Sequence, residues 1–170
     1  MLRVAGIVAL IVLATACGQT TVNTVSSPSP VIAQGNWTQG LTLTGDMSGQ
    51  MTGIVLDTID LQSQCTGSKS RVAEPWSDTF YGTVDSSGQI WGIVFDIRNF
   101  SGPGTYVNGS ITVQLHSTDN SKVWQNSSGD KVTFTIERNQ QSGTIDASMT
   151  NASTGKAAAQ HITGRWNCRG

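Results

Sequence analysis

Charge is scarce in this 170-residue chain: Asp, Glu, Lys and Arg together make up 12% of it. The ten basic residues are dispersed, and Lys69 with Arg71 is the nearest approach to a cluster. Phosphate neutralisation needs clustered Lys and Arg, so no nucleic-acid partner is expected. Histidine is rarer still. His116 and His161 are the only two, and neither sits in an H-E-x-x-H or a Cys/His spacing, so no metal and no cofactor is expected. The many serines include no G-x-S-x-G elbow. No apolar run reaches the roughly 20 residues that a membrane-spanning helix requires, and no segment carries the period of an amphipathic helix. With these constellations missing, the expectation is a non-enzyme with no catalytic residues.

What remains is β-type patterning. From Gln89 to Leu115 the chain alternates Trp91, Ile93, Phe95 and Ile97 on one parity, breaks at Gly102-Pro103-Gly104, and resumes with Ile111, Val113 and Leu115. Period-2 alternation of β-branched and aromatic residues marks half-buried strands, and proline between two glycines interrupts any element running through it. This stretch therefore reads as a strand, a tight loop and a returning strand, a central apolar hairpin.

The same pattern recurs on both sides. Trp37, Leu41 and Leu43 point inward from a first strand, followed by a glycine-rich strand from Asp46 to Leu56. Ile59, Leu61 and Cys65 share one parity, and Thr66 to Ser77 reads as a polar loop holding Trp76. Phe80, Gly82 and Val84 form a strand that turns at Asp85–Gly88 into the hairpin. His116 to Lys122 reads as a connection and Val123-Trp124 as a short edge strand. Val132–Ile136, Ile145–Met149 and a last strand bearing Ile162, Gly164, Trp166 and Cys168 complete the set. About nine short strands with frequent turns give an all-β fold, a single antiparallel β-sandwich or barrel over residues 36–170. Gly82-Thr-Val-Asp and Gly143-Thr-Ile-Asp echo each other, too few copies for a repeat.

Residues 1–16 have a different character. Met1-Leu2-Arg3 is a short positive start, Val4 to Leu13 an apolar run, and Ala14-Thr15-Ala16 supplies small residues directly before Cys17. That is a signal-peptide pattern. It resembles a bacterial lipoprotein signal, in which the cysteine after a small-residue box is lipidated and becomes the mature N-terminus. Here Ala14 stands three places before Cys17, where that family usually carries Leu, Val or Ile. The box also fits the A-x-A pattern of ordinary cleavage, whose product would be a secreted soluble protein. The resemblance implies a cell-membrane protein, lipid-anchored on the extracytoplasmic face, with the membrane as a partner. Several acyl chains on one residue hold stably where a single chain binds marginally. Residues 18–35, rich in Ser, Thr and Pro without charge, would be a tether. The phrase Phe95-Asp-Ile-Arg-Asn-Phe-Ser-Gly-Pro-Gly-Thr-Tyr106 is similar to one found in small uncharacterised β-type bacterial lipoproteins, and implies no activity.

Setting Cys17 apart leaves Cys65 and Cys168 as one disulfide pair, both on inward parity. His116 and His161 lie opposite their strands' apolar residues and should face solvent. Asp57 and Asp60, and Asp119 beside Asn120, lack the D-x-D-x-D-G calcium spacing and read as turn formers. Asp96, outward by parity, and Glu137 are acidic residues within strong strands, and nothing pairs them as a glycosidase would require. Asn36, Asn99, Asn108, Asn126 and Asn151 head N-x-S/T sequons, expected by chance in so hydroxyl-rich a chain. Trp37, Trp91 and Trp166 belong to the core by parity. Trp76 and Trp124, in or beside loops, and Tyr81, opposite Phe80, are the candidate ligand-binding rings, for an envelope protein or a glycan partner. The favoured reading is that each covers an open end of the core, since tryptophans are usually largely buried.

Overall fold

The structure is a computed structural model that describes residues 39–53, 57–58, 60–85 and 88–168. Cys17, the signal segment, the tether, Trp37, Leu56 and Ile59 lie outside the described residues, and so do the expectations that fall on them.

Among the described residues there are eleven strands: β1 (Gly40–Gly45), β2 (Gly49–Met51), β3 (Gln64–Cys65), β4 (Trp76–Thr83), β5 (Ile90–Ile97), β6 (Gly104–Val107), β7 (Thr112–Ser117), β8 (Val123–Gln125), β9 (Val132–Ile136), β10 (Ser142–Asn151) and β11 (Gln160–Asn167). One 3-10 turn, Gly67–Lys69, is the sole helical element among the described residues. The strands form a curled antiparallel sheet in the order β2-β1-β11-β10-β8-β7-β5-β4-β3, a half-barrel. The all-β expectation holds; the strand count rises by β3 and β6, which are too short to leave a clear alternation.

Strand β10 organises the curl. One side pairs with β11 from Ser142 to Met149. The other side pairs first with β9, from Gly143 to Ala147, and then with β8 at Thr150 and Asn151. The sheet forks there, and β9 carries β6 as a side branch. At the other end of the β9–β10 ladder the strands approach closely at Gly143, where a Cβ would collide with the Thr135 carbonyl oxygen and lie 2.8 Å from the Trp166 ring. Only glycine fits such a position.

The interior is filled by rings. Phe134 and Trp166 stack at 5.2 Å with planes 6° apart, Trp76 lies 5.3 Å from Trp166, and Phe95 lies 4.8 Å from Phe134. Leu41, Leu43, Met51, Ile93, Ile97, Val113, Leu115 and Ile162 pack around them, all buried. Tilted aromatic pairs add about 0.5–1.5 kcal/mol beyond the area they bury.

Three local expectations are corrected. The Gln89–Leu115 stretch is not a tight hairpin. Strands β5 and β7 do pair, from Trp91–Ser117 to Asp96–Thr112, but the connection leaves their plane to place β6 against β9. Gly102-Pro103-Gly104 turns the chain into that excursion, and Tyr106 fixes it: its hydroxyl donates to the Gly102 carbonyl at 2.7 Å and accepts from the Ser101 N–H at 2.9 Å. The polar loop ends earlier than expected, because Trp76 opens β4, whose residues alternate buried and half-buried throughout. Strand β8 is not an edge. It lies between β7 and β10 and closes the fork.

Candidate functional site

The three candidate rings occupy three separate places. Trp76 is fully buried among Phe100, Phe134 and Trp166. Trp124 is buried at the other end against Trp91, 5.8 Å away, and its indole N–H donates to Asp46 Oδ2 at 3.1 Å. Tyr81 stands half-buried on the outer face of the sheet, edge-on to the His116 ring at 6.0 Å. Both tryptophans are covered, as the core-capping reading has it rather than the exposed-ring one, and no shared surface joins the three.

His116 is a second correction. It does point to the outer face, as parity requires, yet it is buried. Across the sheet it pairs with Gly92, which in turn pairs with Tyr81. Glycine leaves a notch in which the imidazole lies; a Cβ at residue 92 would collide with His116 Nε2. The ring's Nδ1 lies 3.0 Å from the Ser117 carbonyl, which makes that nitrogen the N–H donor. His161 faces solvent and meets Asp146 at 2.9 Å. Neither histidine is bonded to a hydroxyl or thiol.

Two open clefts gather polar side chains. The first, of about 510 Å³, sits at the end where the β1–β2 and β4–β5 turns meet β8. Trp91 and Trp124 form its floor, with Asp46, Asp85 and Lys122 on its walls. The Lys122 ammonium lies 5.9 Å from the Trp91 ring centroid. Hydrogen bonds from Trp124, Lys156 and Asn151 hold the Asp46 carboxyl below the usual carboxylate range. The second cleft, of about 750 Å³, runs between Asp96-Ile-Arg-Asn99 and the loops around Asn108 and Ser127. Its back wall is structural. Asn126 accepts from the Val113 N–H and donates to Asn108 Oδ1 and the Ile111 carbonyl, while Asn108 donates to the Ser127 and Asp130 carbonyls. Burial pushes the Asp130 carboxyl up, but donors on Ser127, Thr150 and Ala158 outweigh it and leave it lowered.

Three of the acidic groups weighed from the sequence resolve as fasteners. Asp119 accepts from the Ser117 hydroxyl and from both donors of Ser121, which brings its pKa to about 2. Asp57 accepts from the Ser63 N–H at 2.8 Å. Glu137 is lowered by the Ser142 hydroxyl and by Arg165, whose guanidinium donates at 2.7 Å.

Asp78 is the exception, and sequence reasoning passed over it. It lies on β4 between Trp76 and Phe80, fully buried, with no partner for either carboxylate oxygen. Desolvation raises its pKa well above the ordinary value. Beside it is the Cys65–Cys168 disulfide, formed as expected, with Cα atoms 6.1 Å apart. The alternation Trp76, Phe80, Gly82 carried the signal, because a residue sharing that parity must also point inward.

Comparison of the chain with protein-family models, curated proteins and solved structures yields no match in any of the three.

Proposed function

We propose that the protein is a lipid-anchored, extracytoplasmic binding module: Cys17 carries the lipid, residues 18–35 form the tether, and the β domain presents its clefts to an envelope protein or glycan. The observation that carries the binding half is the state of the cleft carboxylates. Asp46 and Asp130 are held ionised by fixed donors, which suits a permanent recognition surface. A general acid would need its pKa raised toward neutrality. The anchor half rests on the position of Cys17 directly after Ala14-Thr15-Ala16.

A carrier with its ligand inside the barrel is the runner-up. The stacked rings of Trp76, Phe95, Phe134 and Trp166 occupy that interior, which favours the open clefts as the binding surface.

The test is expression of the full chain in a bacterial host, with detergent-phase partitioning and intact mass of the recovered protein. The expected result is wild type in the detergent phase with a diacylglyceryl mass increment, and Cys17→Ser in the aqueous phase. Wild type wholly in the aqueous phase with an unmodified Cys17 overturns the anchor. For the clefts, the soluble Cys17→Ser protein is sedimented with purified peptidoglycan sacculi and cross-linked in intact envelopes. Arg98→Glu or Lys122→Glu should reduce retention or cross-linking, and equal recovery of both variants with wild type overturns the cleft assignment.

A further inference from the structure

Cys65 and Asp78 face each other across the β3–β4 pair. Cys168 follows β11 and is fixed by its own N–H, which donates to the Gln141 carbonyl at 2.7 Å. These three residues bring two sulfur atoms and a carboxylate oxygen within 4.8 Å of one another. Asp78 and Cys168 are wholly buried, whereas Cys65 is half-buried. Buried carboxylates without a hydrogen-bond donor are rare, and those that persist are paired with a cation or neutralised. Among the described residues no donor reaches Asp78, and both sulfurs lie within 4.8 Å of its carboxylate.

We propose that reduction of the Cys65–Cys168 bond turns this end of the domain into a divalent-metal site in which the two thiolates and the Asp78 carboxylate ligate zinc or a zinc-like ion. The spacing suits that role. Tetrahedral zinc, with sulfur at about 2.3 Å and oxygen at about 2.0–2.2 Å, places its ligand atoms about 3.4–3.8 Å apart. The Cα separation of 6.1 Å lets both sulfurs turn to a common ion without moving their strands. Two thiolates select against magnesium and calcium, which take oxygen ligands. The fourth position opens on the half-buried Cys65 side, where the Gln141 side chain and Cys65 Sγ flank the same point above Gly67.

The chemistry balances. A dithiol gives two electrons and two protons to the disulfide, becoming a cyclic disulfide itself, and Cys65 and Cys168 become thiols. When the ion enters, both thiols release their protons to water, and with the Asp78 carboxylate the occupied site carries a net charge of −1. This inference is independent of the proposed binding function, since neither cleft includes these residues.

The experiment uses the full chain, reduced anaerobically with a phosphine (which takes oxygen from water to become its oxide) and then desalted. Cobalt is titrated in, followed by zinc, with visible absorption, near-ultraviolet circular dichroism and thermal melting as readouts. Expected are one equivalent of cobalt with thiolate charge-transfer and tetrahedral bands, displacement by zinc, and a zinc-dependent rise in Tm for reduced protein only. Asp78→Asn should weaken zinc by about 10-fold or more, since even partners outside the ligand set commonly cost 10–100-fold. If the reduced apoprotein loses its tryptophan signal, zinc must restore it. Absence of thiolate bands and Tm rise in reduced wild type overturns the site, as does metal binding that restores no fold. Equal affinity in Asp78→Asn, or equal binding by oxidised protein, also overturns it.

Discussion

Removing the Cys65–Cys168 bond should destabilise the domain more than any other change of two surface-sized side chains. Among the described residues the sheet order begins at β2 and ends at β3, with no strand beyond β3. Cys65 lies on β3 and Cys168 directly follows β11. The bond therefore fastens the last strand of the half-barrel back to its opposite side, a closure that no hydrogen-bonded ladder supplies. The sequence separation is 103 residues. In the chain-entropy account a loop of that length constrains the unfolded state by about 4.7 kcal/mol. Set against about 5–15 kcal/mol for a whole domain, that is a large share. For a domain of this size each kcal/mol moves the midpoint by about 3–5 °C, so Cys65→Ala/Cys168→Ala should melt about 15–20 °C lower than oxidised wild type. Thermal unfolding followed in the near ultraviolet, where Trp76 and Trp166 report on the same region, measures it. A fall of less than about 3 °C, or two freely alkylated thiols in native wild type, would refute the closure argument.

Asp78→Leu should stabilise the oxidised protein at neutral pH by about 1–3 kcal/mol, because it removes a buried polar group that has no partner. The folded pKa lies above the ordinary 3.8, so wild-type stability from this group is intact below that pH and falls as pH rises toward the folded value; the Tm gap between variant and wild type should widen from pH 4 to 7, and a constant gap would contradict it. Gly143→Ala should cost about 1–3 kcal/mol in urea unfolding, since the new Cβ meets the Thr135 backbone rather than a movable side chain; an unchanged midpoint would show that the β9–β10 ladder can open to admit it.

Alternation was sufficient to read the interior. Leu41, Leu43, Trp91, Ile93, Phe95, Ile145, Ile162 and Trp166 are all buried, because a residue's side of a strand follows from its parity alone. Pairing was less legible. Nothing local in Val132–Ile136 reveals that β9 meets β10 and β6 at once, and nothing in Val123-Trp124 shows that β8 is enclosed. Burial on the outer face was also hidden. His116 has polar parity, and its burial depends on Gly92 and Tyr81 lying beside it in the sheet, residues that are 24 and 35 positions away in sequence. Trp76 was misplaced for a simpler reason. Pro75 and the polar run before it suggested that the loop continued, whereas Ser77 in fact pairs with Thr66 through both its N–H and its carbonyl.

The distribution of unpaired polar atoms ties these readings together. The buried side-chain atoms without partners among the described residues belong to Gln39, Trp76, Asp78, Gln140 and Trp166. Trp76 and Trp166 each stand two residues from Asp78 or Cys168 on the same strand face, and Gln39 donates to the carbonyl of Asn167, next to Cys168. Gln140 precedes Gln141, whose carbonyl holds the Cys168 N–H. All five therefore gather at the disulfide end of the half-barrel. The opposite end behaves differently: Asp46 alone satisfies Trp124, Asn151 and Lys156. Random imperfection would scatter unpaired groups over both ends, and a buried polar group left alone costs about 1–3 kcal/mol. Their concentration around Cys65, Asp78 and Cys168 means that the end closed by the disulfide is also the end held at a cost in stability. Such a cost is expected where a site must accept something beyond its own side chains, which is why the metal titration is directed at that end.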